Sequence, residues 1–305
     1  MTIASGSQLA EDRPFEETLE ESMSLVAILV LTEPDAAVKA AHTQAAVALW
    51  NNGQLLWEPA TASAGGSSLF VPDKPARDSK VKLLPPQSMH RLGKGGSLAS
   101  RQALVHSLAH IESWAVDLAW DVIARFGNDP RYTLPRDFFH DFVKVAEEEC
   151  KHFQLLCKRL LALSSFYGAL PAHDGLWESA SASAHSLPAR LAVEHCVHEA
   201  RGLDVLPQTI HRFRSNEDEE TASLLETVIY PEEVSHCAAG IRWIEYLHMQ
   251  AHASHQVEFW FHALVRQHFK GLLKPPFNDD ARAKAGFGPE WYLPLAAAPP
   301  GQHTN

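Results

Sequence analysis

Two Glu-x-x-His steps, Glu149 to His152 and Glu233 to His236, stand far apart in this chain, each inside a run with helical apolar spacing. Residues three apart on a helix share a face, so each step aims a carboxylate and an imidazole at one point. A lone glutamate precedes each step. Glu112 lies 37 residues before Glu149, and Glu199 lies 34 before Glu233, intervals that suit a helical hairpin with a modest turn. Four helices carrying Glu, Glu-x-x-His, Glu and Glu-x-x-His are what a carboxylate-bridged di-metal centre in a bundle requires. One Glu-x-x-His is weak evidence in a chain with 18 histidines, and a third instance, Glu245 to His248, is read as accidental. The matched arrangement carries the weight.

The expected metal ligands are therefore Glu112, Glu149, His152, Glu199, Glu233 and His236. Two divalent ions would neutralise the four carboxylates, which are costly to bury empty. Oxygen donors with imidazole suit two iron ions, with manganese as the alternative; the lack of thiolates in the set disfavours zinc and iron–sulfur. Such a pair activates oxygen or peroxide. Gly202 and Ala115 follow Glu199 and Glu112 by three residues and would leave room on the ligand faces. His195 shares a face with Glu199, and Asp117 and Asp204 each follow a lone glutamate by five residues. These three are candidates to orient the liganding groups, weighed against packing and salt bridges. Tyr230 is a candidate hydrogen-bonding or redox phenol, weighed against core packing. Lys94, Gly95, Gly96 and Ser97 enter a helix as a candidate anion cradle, with a plain Ser97 cap as the competing account. Together with the basic loop before them they nominate an anionic substrate, a phosphate or a carboxylate.

The elements that must position these residues can be read from periodicity. Residues 1–21 are acidic and aperiodic and read as disordered. Residues 22–96 read as two helices followed by a long basic loop rich in Pro, Gly and Ser. Residues 97–270 read as the bundle, with helices over about 97–126, 135–167, 187–214 and 217–253 and a further one to 270. Pro207 is expected to kink or end the third, and Pro231 to interrupt the fourth. Residues 271–305 read as an extended tail. The fold class is all-α.

Composition narrows the function classes. A net charge of −11 argues against nucleic acid held by bulk electrostatics. The apolar run Ser24 to Leu31 is too short for a membrane span and lacks the flanks of a signal peptide. Cys150, Cys157, Cys196 and Cys237 form no Cys-x-x-Cys pair and read as reduced thiols of a cytoplasmic protein. The chain carries no flavin or nicotinamide motif.

Four segments, His106 to Glu112, Ala146 to Phe153, His198 to Asp204 and Ile229 to His236, resemble the signatures of the ferritin-like family catalogued as domain of unknown function 455. The connector Tyr167 to Trp177 resembles it too, and the likeness covers about residues 25–270. It implies a ferritin-like four-helix bundle with a di-metal centre, and gives ligand roles to the same six residues. One departure stands between Glu149 and His152, where the family has Ala-Arg and this chain has Cys150 and Lys151; it affects a local salt bridge and no ligand. A distant member of the superfamily, a di-iron hydroxylase of a modified tRNA adenosine, keeps tRNA open as a substrate by analogy.

The resulting expectation is a di-iron oxidoreductase, a monomer or small homo-oligomer. It would use O2 and an external electron donor to hydroxylate or oxidise a small molecule. The alternatives are an iron-handling or peroxide-scavenging protein and a metal-free helical binding module.

Overall fold

A computed structural model describes residues 22–55, 70–252 and 254–296. The segment read as disordered (1–21), part of the long loop (56–69) and the end of the tail (297–305) lie outside the described residues. The described residues are helical throughout, apart from loops and two isolated bridges, Leu83 with Ala172 and Leu273 with Ala296. The chain divides into two compact units, residues 1–93 with 97–177 and residues 94–96 with 178–305.

In the first unit, α1 (Met23–Thr32) starts at Ser22, whose side chain accepts from Leu25 N–H. Met23, Val26, Ala27, Val30 and Leu31 are all buried, which explains a short apolar run that spans nothing: it is a core helix. Helix α2 (Ala36–Asn51) starts at Asp35, whose carboxylate takes the N–H groups of Ala37 and Val38. The hairpin of α3 (Leu98–Phe126) and α4 (Arg136–Ala162) follows. Phe138, Phe142, Ala146, Cys150, Phe153, Leu156 and Leu160 form the buried stripe of α4 at spacings of three and four. That helix ends five residues before the expected Tyr167. Ser164 takes a left-handed conformation (φ 58°), and Ser165 N–H bonds back to Leu160 O. A serine there gives no glycine signal, so the stop was not legible. The loop after residue 70 bonds within this unit: Leu84 N–H reaches Ala172 O, Ala172 N–H reaches Lys82 O, and the Trp177 indole donates to Asp73 O.

The division between the units falls within the short helix α5 (Gly175–Ala182). In the second unit, α6 (Leu187–Arg190) widens into π-helical turns over Leu191–His198 and resumes as α7 (Glu199–Arg214). Pro207 lies inside α7 without ending it. Helix α8 (Glu219–Leu224) likewise widens over Leu225–Ile229 before α9 (Tyr230–Gln250). Pro231 sits in the first turn of α9. A proline crowds the carbonyl four residues earlier and offers it no N–H, and the widened turn is where that conflict is absorbed.

The extended tail is corrected by the structure. After α10 (Val257–His268), the chain forms α11 (Asp279–Lys284) and α12 (Pro289–Tyr292). Phe287, Trp291, Tyr292 and Leu295 are buried anchors. Helices of six and four residues are too short for periodicity to reveal.

Candidate metal centre

Each unit supplies three of the six expected ligands. In the first, α3 supplies Glu112 and α4 supplies Glu149 and His152. One ligand atom from each lies within 4.8 Å of the others. His152 Nδ1 stands 3.4 Å from Glu149 Oε2 and 3.7 Å from Glu112 Oε2. All three side chains are buried. In the second, α7 supplies Glu199 and α9 supplies Glu233 and His236, again with ligand atoms within 4.8 Å of one another. His236 Nδ1 is 3.7 Å from Glu233 Oε1. Glu233 and His236 are buried and Glu199 is partly exposed.

The charge of the first triad bears on what it could hold. Burial and the neighbouring Glu149 push the Glu112 carboxyl from 4.5 up to about 8. Burial would lower the His152 imidazole, yet the Glu112 and Glu149 carboxylates raise it well above its ordinary value. Without a cation, the triad therefore retains protons at neutral pH. A divalent ion would take their place and release them. The donor set, carboxylate oxygen with imidazole nitrogen, fits iron or manganese. In the second unit, a Cβ built on Gly202 would meet Glu233 Oε2 at 3.5 Å. A larger side chain would press on the carboxylate that points into the triad. Both observations fit a metal ion at these residues.

Three of the residues nominated as supporting partners, Asp117, Asp204 and Tyr230, bond to flanking segments. Asp117, fully buried, does not orient an imidazole: it takes Lys39 Nζ at 2.6 Å and the Arg77 guanidinium. Asp204 likewise accepts both arms of the Arg282 guanidinium, at 2.9 and 2.7 Å, and the N–H of Asn278. The Tyr230 hydroxyl accepts from Asn278 Nδ2 at 2.7 Å, a packing bond to the tail. His195 is buried in the widened turns, where its carbonyl oxygen lies against Gly240. The Lys94 to Ser97 turn serves the backbone: Ser97 Oγ caps Ser100 N–H, Lys94 O accepts from Asn216 Nδ2, and Gly95 supplies a positive φ of 85°. The four cysteines are free thiols, with Cys150 Sγ directed at Ala40 O.

Lys39, Arg77 and Glu194 were not read from the sequence. A lysine at a core position of an Ala- and Val-rich helix was the available signal for Lys39. Glu194 lies in the widened turns of the second unit, 3.9 Å from His198 Nε2, and burial raises its carboxyl. No described helix is long and apolar enough to cross a membrane.

Comparison with known proteins gives a family and no activity. One relative, an "Uncharacterized protein" of Haemophilus influenzae (strain KW20 / Rd), is 34% identical over 187 residues, covering 61% of this chain. The match spans 64% of that relative's length, just under two thirds. No solved structure matches. Residues 32–293 match the family described as protein of unknown function DUF455, and the chain belongs to that family.

Proposed function

We propose that each triad holds one divalent ion, iron by preference and manganese as the alternative, and that the protein is a di-metal oxidoreductase. It would use O2 to hydroxylate or oxidise a small organic substrate. The observation that carries this reading is the repetition: two separate hairpins each place a lone glutamate beside a Glu-x-x-His, with Nδ1 3.4–3.7 Å from the carboxylates. The ferritin-like bundle implied by the family resemblance belongs to the same proposal.

Bound metal would supply the redox chemistry toward O2. The chain's residues do the rest. Glu112, Glu149, Glu199 and Glu233 neutralise the ions, and His152 and His236 fix one nitrogen donor in each triad. Burial excludes bulk water from the first triad, where Glu112 and His152 hold protons that metal entry must displace. Electrons come from a separate donor, since the chain carries no flavin or nicotinamide motif.

Anaerobic reconstitution with Fe(II), then exposure to O2, tests the reading. The expected result is oxidation of bound Fe(II) faster than of free Fe(II), with a transient charge-transfer absorption. Stoichiometric iron uptake into a large hollow oligomer would instead favour iron handling. Failure of chelators and metal to move the melting temperature would favour a metal-free binding module.

A further inference from the structure

The tail segment after α10 meets both helices that carry the second triad, and one of its residues, Asn278, touches both. The Asn278 Nδ2 donates to Leu203 O on α7 at 3.0 Å and to the Tyr230 hydroxyl on α9 at 2.7 Å. Its backbone N–H donates to Asp204 Oδ1, also on α7, at 2.9 Å. Its Oδ1 accepts from Ala281 N–H, so the same side chain caps α11 and the cap fixes the direction of the amide. Two further links hold the tail on α7. Arg282 takes both oxygens of Asp204, and Arg201 Nη1 donates to Lys274 O at 3.0 Å.

These bonds lie close to the ligands. Leu203 and Asp204 follow Glu199 by four and five residues, and Tyr230 precedes Glu233 by three. Every bond of Asn278 to α7 or α9 therefore ends within about one and a half helical turns of a ligand. Gly202, beside Leu203, is where a Cβ would meet Glu233 Oε2 at 3.5 Å, so α7 and α9 approach closely at the level that Asn278 bridges. Both helices emerge there from widened turns, which end at His198 and Ile229. The spacing between Glu199 and the Glu233–His236 pair is thus a matter of what ties α7 to α9 across their axes.

We propose that Asn278 is a positioning residue for the second triad. By bridging α7 and α9 it holds Glu199 at the distance from Glu233 and His236 at which one ion is shared, so that docking of residues 271–296 and metal binding are coupled. The inference rests on the metal reading above. Coupling between two events is reciprocal: a docked tail that favours the ion is itself favoured by the ion, by the same factor. A tail that only covered the helices would be indifferent to metal.

The test joins Mn(II) titration of full-length metal-free protein, read by the magnetic resonance signal of free Mn(II), to amide hydrogen exchange of the tail with and without Mn(II). The parent should take up about two Mn(II) per chain. Exchange of the hydrogen-bonded amides of Ala281, Arg282 and Phe287 should slow at least about fivefold when it does. In Glu233→Ala, which lacks a second-triad ligand, Mn(II) should no longer slow the tail. Asn278→Ser keeps a capping side chain but is too short to reach Leu203 O and the Tyr230 hydroxyl together. It should weaken one of the two sites at least about fivefold, leave the other unchanged, and lose the protection of the tail by Mn(II). Tyr230→Phe, which leaves the bonds to α7, should weaken the same site by a smaller factor. Folded Asn278→Ser protein that binds both ions with parent affinity would overturn the proposal. So would tail exchange in the parent that stays unchanged while both ions bind, a result that needs no variant to fold. Either outcome leaves the metal reading standing, whereas a parent that takes up no Mn(II) would overturn both.

Discussion

The two units build the same triad on different backbones. In the first, Glu112, Glu149 and His152 ride on uninterrupted α-helices of 29 and 27 residues. In the second, π-helical turns end immediately before Glu199 and four residues before Glu233. Widened turns of this kind are frequent at functional sites, because they rotate the following side chains relative to a regular helix. The likeness extends past the ligands. The side chain of an aspartate five residues beyond each lone glutamate is buried, and each clamps its hairpin to a flanking segment: Asp117 to Lys39 and Arg77 before it in sequence, Asp204 to Arg282 after it. A similar arrangement of residues is thus built twice, once on regular helices and once on irregular ones.

Removing the clamps should separate the halves most strongly. Asp117→Ala leaves two cations without their shared carboxylate and should cost about 3–5 kcal/mol, measured by urea denaturation. Asp204→Ala should cost less, because it strands one buried cation, Arg282, where Asp117→Ala strands both Lys39 and Arg77. Equal losses would show that the number of stranded cations does not set the cost.

A smaller effect is expected where α9 meets the widened turns. A Cβ on Gly240 would lie 1.9 Å from His195 O, a backbone atom that cannot swing aside. Gly240→Ala should therefore destabilise by about 1–3 kcal/mol and lower metal content in the second triad, leaving the first intact. Full metal content in that variant would mean that the second triad does not depend on the widened turns.

A further effect, of pH, is confined to the first triad. The Glu112 carboxyl is raised from 4.5 to about 8, so the folded state binds a proton that the unfolded state has released across that window. Metal-free protein should lose this stability as pH rises from about 4.5 to 8. His152, raised above 6.5, acts in the same direction at higher pH. Metal should accordingly raise the melting temperature more at pH 8 than at pH 5.5. Glu112→Gln should stabilise the metal-free protein at pH 8 while removing metal binding at the first triad, and a destabilised metal-free variant would reverse the reasoning.

The candidate ligands and the long helices were legible in the sequence because both obey a period. Glu149 with His152 and Glu233 with His236 sit at helical spacing, and the stripes of α3 and α4 repeat every three to four residues. The widened turns were hidden, since Leu191–His198 has ordinary helical composition; only Pro231 hinted at irregular backbone in α9. The partners of Asp117 and Asp204 were hidden for another reason. Lys39 and Arg282 are 78 residues from their aspartates, and nothing local announces a contact that distant. The short helices α11 and α12 are held by buried aromatic anchors and not by periodicity.

Metal content is the most direct test of the central claim. Protein from iron-replete cells should carry about two iron or manganese ions per chain. Glu149→Ala should remove the ion of the first triad and Glu233→Ala that of the second, each leaving about one. Fewer than about one ion per two chains in the parent protein, unchanged by Glu149→Ala, would contradict the account.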